Sequence, residues 1–237
     1  MSDRPSSPFV PAVADARARV GRAYRQLGHA ISGHLIELEE LARLADDLER
    51  WMQSLEERPR RDRVTERPTG DWGPAPASGE LMYSFDERPV SGRSAPLGFD
   101  VEVRREDREA VGRLTLGPAH EGAPGRSHGG IVAALFDDLF GFVLTIEQQA
   151  AFTGELGIRY EAGTPIGVPL ACRVRLAERD GRKMKMDGEL TVEGPAPLRL
   201  VPSRPGEPAN DPPPPGTVVA RATATFIAVD PEQFRVT

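Results

Sequence analysis

The run Ile131-Val132-Ala133-Ala134-Leu135-Phe136-Asp137-Asp138-Leu139-Phe140-Gly141-Phe142-Val143 limits the choice of fold more than any other stretch. It is apolar on every side of a helix, and a helix hydrophobic all round is a buried one. It is shorter than the roughly 20 apolar residues that cross a bilayer. Two adjacent carboxylates interrupt it, and burying a charge without a partner is costly. The acids must therefore face a polar site, a cleft or another subunit. On helical spacing Asp137 shares a stripe with Gly130, Ala133, Ala134 and Gly141, small residues that let a backbone or a slender ligand come close. Asp138 shares Ala134 and Gly141 but also borders the bulkier Leu135 and Phe142. Spacing alone leaves open which acid is solvated and which caps a neighbouring amide.

The entry to this helix carries its own chemistry. Gly129 and Gly130 lack a Cβ, and their N–H groups belong to the unpaired donors of a first helical turn, backed by the helix dipole. Such donors can form an oxyanion hole, aimed at an oxygen that gains charge. A plain glycine-rich helix start has the same sequence, so the acids further along give the reading its weight.

A chain of 237 residues fits one domain with extensions or two small ones. A net charge of −6 argues against general affinity for nucleic acid. The single cysteine, Cys172, excludes an internal disulfide and reads as a small core residue in a reducing compartment. The start Met-Ser-Asp-Arg-Pro-Ser-Ser-Pro has no apolar signal core, so a cytoplasmic protein is expected, with no membrane partner.

Along the chain, residues 1–11 read as a disordered start and 12–57 as a helical or coiled-coil extension. In the latter, Tyr24, Leu27, Ile31, His34, Leu38, Leu41, Ala45, Leu48, Met52 and Leu55 alternate steps of three and four. Gly33 marks a candidate kink or hairpin turn. The extension is expected to cover apolar surface, with an oligomerisation arm or a lid as the alternative. Residues 58–97 are rich in Pro, Arg, Gly and Ser and read as a linker with a short strand at Glu80–Phe85. Alternating patterns then predict strands around Phe99–Val103, Val111–Leu116, Leu156–Tyr160, Leu170–Leu176, Met184–Val192 and Thr217–Val229, with a tight turn at Asp180-Gly181 and a bulge at Gly188. An irregular, proline-rich insertion is expected over 195–216 and a tail over 230–237. One buried helix among antiparallel strands is an α+β layout.

Two other chemistries fail on the residues. Gly125-Arg126-Ser127-His128-Gly129 matches G-x-S-x-G, yet no histidine follows the serine except its neighbour, and adjacent residues cannot pair as nucleophile and base. His120, His128, Asp137 and Asp138 lack any metal-ligand spacing such as HExxH, so no metal is expected.

Glu121-Gly122-Ala123-Pro124-Gly125-Arg126-Ser127-His128-Gly129-Gly130, with Asp137 beyond it, resembles the signature of hotdog-fold acyl-CoA thioesterases of the PaaI type, in the variant of the thioesterase-superfamily-member-4 proteins. The resemblance covers about 98–229 and takes in Thr153–Tyr160, Pro165–Leu170 and Asp180–Lys183. It implies a hotdog fold, a long helix wrapped by an antiparallel sheet, dimerised through the sheets or paired again as a tetramer. It also implies acyl-CoA hydrolysis with no cofactor beyond the coenzyme A of the substrate. The family register puts the catalytic carboxylate on Asp137, the thioester-polarising N–H on Gly129 and a hydroxyl near the nucleophilic water on Thr153. It gives His128 a hydrogen-bonding role, and puts Ser127, Gly130 and Asp138 near the substrate. Arg182 and Lys183 correspond to basic residues that meet the phosphates of coenzyme A. Gly122 departs from the Asn or Gln of smaller members, and the 195–216 insertion replaces a tight turn.

Gly129 and Asp137 lie eight residues apart on one helix, roughly 12 Å at about 1.5 Å per residue. Both can act on one carbonyl only if a two-fold-related chain supplies one of them. Partial burial is expected to make Asp137 a better base than a solvated aspartate. The thiolate leaving group, with a pKa near 8.5, needs no strong general acid. A non-catalytic acyl-CoA-binding hotdog acting as sensor or regulator is the alternative. A dehydratase lacks its Asp-x₄-His arrangement here.

Overall fold

A computed structural model describes residues 11–61, 74–195 and 212–230. The expected features within 1–10, 62–73, 196–211 and 231–237 lie outside the described residues. Six antiparallel strands form one sheet: β1 (Glu102–Glu106), β2 (Glu109–Thr115), β3 (Ala151–Tyr160), β4 (Pro169–Asp180), β5 (Lys183–Val192) and β6 (Val218–Ala228), ordered β1-β2-β4-β5-β6-β3. Helix α3 (Gly129–Ile146) packs against the sheet and buries Val132, Leu135, Phe136, Leu139, Phe140, Phe142 and Val143. The helix is long and apolar enough to cross a membrane, but more than half of its residues are buried in the protein's own core. Phe136 and Phe140 stack at 6.2 Å, and Phe140 meets Phe226 of β6 edge-on.

The helix sits close because two strands make room. A Cβ on Gly188 would lie 2.7 Å from Val174 Cγ1 and 3.2 Å from Phe136 Cε1, and one on Gly112 would meet Leu139. Gly188 is thus a point of close approach rather than the expected bulge; it stays in register with Val174 and Ala222. The irregularities fall instead at Leu176/Glu178, Leu190/Thr191 and Thr153/Glu155. β6 alternates as its sequence predicts, with Ala220, Ala222, Ala224 and Phe226 buried and Arg221 and Thr223 exposed.

The N-terminal extension departs from its pattern. It forms two helices, α1 (Pro11–Gly33) and α2 (Leu38–Glu56), separated just after Gly33. The apolar seam is exposed in this chain: Tyr24, Ile31, Leu38, Leu48, Met52 and Leu55 all face outward, and α2 buries no residue. α1 docks through a different face, centred on Gly21 and Arg25. Gly21 permits contact with the backbone of Ser94, where a Cβ would come within 2.6 Å. The buried Arg25 guanidinium donates to Arg93 O, Ala95 O (2.8 Å) and Asp100 Oδ1 (2.6 Å). Apolar spacing misses a face built from a glycine and a hydrogen-bonded arginine.

The segment read as a linker over 58–97 is also more than a connection. Met82 N–H donates to Val103 O and Arg105 N–H to Glu80 O, adding a short backbone pairing to the β1 edge. Met82, Val90, Ala95 and Phe99 are buried. Residues 80–99 are therefore packed onto the domain, with Arg88 reaching Asp138 and Phe142 of α3.

Candidate active site

Strand β3 holds α3 at two points. Tyr160 Oη donates to Gly129 O (2.8 Å) at the helix start, and Thr153 Oγ1 donates to Asp137 Oδ1 (2.9 Å) two turns on. Leu156, Ile158 and Tyr160 share the strand face toward the helix, so strict alternation would turn Thr153 away from it. The register shift between Thr153 and Glu155 inserts Gly154 as an extra residue and reverses that parity. A bulge thus re-aims the threonine hydroxyl at the aspartate.

Asp137 is exposed in the single chain, so its own protomer does not supply the burial expected for it. Asp138 is the buried acid, 7 % exposed. Its Oδ1 accepts from Arg88 Nε at 2.6 Å, and its carbonyl accepts from Arg88 Nη2. The guanidinium also lies 4.9 Å from the centre of the Phe142 ring. Gly141 belongs to this contact: a Cβ there would strike Arg88, so the small residue admits an arginine, not a ligand.

His128 caps α3. Its Nδ1 accepts the Gly130 N–H at 3.0 Å, which places the proton of the neutral ring on Nε2 and removes Gly130 from the expected pair of free donors. The Gly129 N–H makes no hydrogen bond among the described residues. Ser127 shapes the loop, its N–H donating to Thr164 O at 2.8 Å. The loop folds tightly enough that a Cβ on Gly122 would come within 2.9 Å of His128 Cα, so a larger side chain has no room here.

At the β4–β5 turn, Arg182 Nε donates to Ala228 O at 3.0 Å, and Lys183 is exposed. Lys183, Ile227 and Phe152 are in register across β5, β6 and β3. The turn therefore sits two strands, roughly 10 Å, from the residue preceding Thr153.

Two histidines lie beneath the same loop. His120 O accepts the His128 N–H, and the His120 and His29 rings meet edge-on at 4.7 Å. Nδ1 of His120 accepts from Gly117 N–H, and Nδ1 of His29 from Ala119 N–H. Burial, then the neighbouring His29, pushes His120 down to about 4, against the pull of Asp100. Burial also lowers His29, with Asp100 opposing and Arg25 assisting. Cys172 is fully buried, and burial pushes its thiol well up, which suits a core residue and not a nucleophile.

No family model matches the sequence. Mouse acyl-coenzyme A thioesterase THEM5 is 29% identical over 80 residues, 34% of this chain. That match spans about a third of the relative's own length (32%). A crystal structure of a thioesterase superfamily protein superposes with a TM-score of 0.66 at 25% identity, covering 89% of this chain and 94% of that one. The fold is that of the hotdog thioesterases.

Within the hotdog fold, the residues that the sequence left without a role are Tyr160 and Arg88. Tyr160 stood in the quoted strand motif, but nothing in its spacing disclosed a bond to Gly129. Arg88 sat in a segment whose composition suggested solvent. The one signal for it was indirect, since a buried Asp138 calls for a cation from somewhere.

Proposed function

We propose that this chain hydrolyses acyl-CoA thioesters as a homo-oligomer. The observation that carries the reading is the pairing of Thr153 with Asp137 on the helix whose first N–H, at Gly129, has no partner among the described residues. In this reading Asp137 activates a water that Thr153 helps to hold, or attacks the carbonyl itself to give a mixed anhydride. The Gly129 N–H of a two-fold-related protomer polarises the thioester carbonyl, because one helix cannot bring both groups to one carbon. Outer edge strand β3 is the natural seam for that partner: it borders the helix carrying both groups and has a neighbour, β6, on one side only. Docking there would enclose Asp137 and supply the burial its own chain lacks. The thiolate departs without a strong acid. Arg182 and Lys183 would meet the nucleotide phosphates, and His128 holds the Gly129–Gly130 turn rather than moving protons.

Steady-state hydrolysis across short-, long- and aromatic-chain acyl-CoAs tests the reading and fixes the acyl preference. Turnover of at least one member, lowered by about a hundredfold or more in Asp137→Asn, is expected. Saturable acyl-CoA binding with no turnover would instead make the protein a binding module, and full activity from a strict monomer would end the two-chain site.

A further inference from the structure

Beyond the residues that touch substrate, we infer that Arg88 is a positioning residue, fixing the rotation of α3 and with it the aim of Asp137. The inference rests on the hydrolase reading above. Successive residues on a helix point about 100° apart, so a clamp on Asp138 sets the direction of Asp137. Arg88 grips Asp138 twice, once at the carboxylate and once at the main-chain carbonyl, so it fixes the backbone itself and not merely a side chain. The fork lies in the gap left by Gly141 and against the face of Phe142. A lysine cannot reproduce that planar, two-pronged grip.

The loop carrying Arg88 is built to stay in place. Arg88 N–H donates to Phe85 O and its carbonyl accepts from Gly92 N–H at 2.9 Å, while Ser94 N–H and Oγ both donate to Asp86 O at 2.8 Å. Arg93 closes the loop from outside through two bonds to the Asp86 carboxylate. Inside it, Gly92 leaves no space for a Cβ among Asp86 O and the Arg88 backbone. α1 then presses on the loop through Gly21 at Ser94 and Arg25 at Arg93 O and Ala95 O. The extension thereby reaches the site through a continuous set of contacts: α1, the 85–95 loop, Arg88, Asp138, Asp137.

The test is kcat and KM for Arg88→Lys and for the double variant Arg88→Met/Asp138→Leu, on the best acyl-CoA of the panel, with melting temperature and near-ultraviolet circular dichroism as checks of folding. The double variant removes both buried charges and keeps apolar volume, an exchange that commonly preserves stability. Both are expected to stay folded and to lose about tenfold or more in kcat, with KM within about twofold, because misplacing a catalytic group by about 1 Å costs on the order of a hundredfold. Wild-type kcat in a folded double variant, or in Arg88→Lys should the double variant not fold, overturns the positioning role while leaving hydrolysis intact. An inactive wild type overturns the hydrolase reading and this inference together.

Discussion

The Thr153 hydroxyl lies 2.9 Å from an Asp137 carboxylate oxygen, across the seam between an edge strand and the core helix. That bond depends on one extra residue in β3, so the site owes its geometry to a local irregularity rather than to the regular sheet. Asp137→Asn is expected to lower kcat by about 10²–10⁴-fold, the span of general-base catalysis. Thr153→Val keeps the shape and loses the donor, and a hydrogen bond to a charged group is worth about 1.5–3 kcal/mol, so a loss of about 10- to 100-fold is expected. Thr153→Ser should recover most of it. Steady-state kinetics on the three variants checks the order.

Tyr160→Phe removes only the hydroxyl that holds Gly129 O. The bond is exposed, so the expected loss of stability is at most about 1 kcal/mol by denaturant unfolding. The larger effect should be kinetic, because the Gly129 N–H and carbonyl belong to the peptide units at the helix entry. A rise in KM or a fall in kcat with an almost unchanged unfolding midpoint is the expected pattern.

Gly188→Ala tests the packing of helix on sheet. The new methyl would meet Val174 and Phe136 well inside normal contact distance. Overpacking of this kind costs about 1–3 kcal/mol, read as a lowered midpoint in urea with the slope unchanged. Ala on the open, positive-φ turn at Gly181 meets no neighbour, so its cost comes from backbone strain alone and should be smaller.

The docking of α1 should be sensitive to acid. His29 and His120 are both held below the ordinary histidine value, so the unfolded chain binds protons more readily than the native one, and stability must rise with pH through that window. The His120 contribution is complete above about 6.5 and is lost progressively as pH falls toward about 4. Protonation removes the Nδ1 acceptors of the Gly117 and Ala119 N–H groups and sets two cations edge to edge beside Arg25, with Asp100 opposing as a counter-charge. Melting temperature is expected to fall between pH 7 and 4.5, and the slope should flatten in His29→Gln/His120→Gln.

How far the sequence disclosed all this depends on which residues carry the information. Helix α3 and the strand alternation were legible because burial writes a periodic signal, and β6 follows it from Ala220 to Ala228, the fully buried Val219 breaking it at the strand's start. The motif residues Asp137, Gly129, His128 and Thr153 do come together about α3 and β3. Which of Asp137 and Asp138 is exposed and which is buried was not legible, since Asp138 is held by Arg88, 50 positions upstream. Spacing carries no record of so distant a partner. The seam of α1 and α2 misled for the opposite reason: its pattern describes apolarity, whereas docking in this chain uses Gly21 and Arg25. The Thr153 bulge was hidden because Gly154 looks like any other strand glycine.

The two-chain arrangement can be tested without a structure of the assembly. Proline is tolerated at the first position of a helix, where it deletes only the N–H. His128 already has φ −64° and ψ 136°, the extended conformation that a residue before proline prefers. Gly129→Pro therefore removes the proposed oxyanion donor at little cost to the backbone, provided Tyr160 shifts by a few tenths of an ångström to admit the ring. Alone, Gly129→Pro and Asp137→Asn should each be inactive. Unfolded together and refolded as a one-to-one mixture, half of the dimers are mixed, and each mixed dimer has one site with an intact aspartate from one chain and an intact amide from the other. About a quarter of wild-type activity should then return. If the two groups acted within one chain, no mixture of these variants could regain turnover at any ratio.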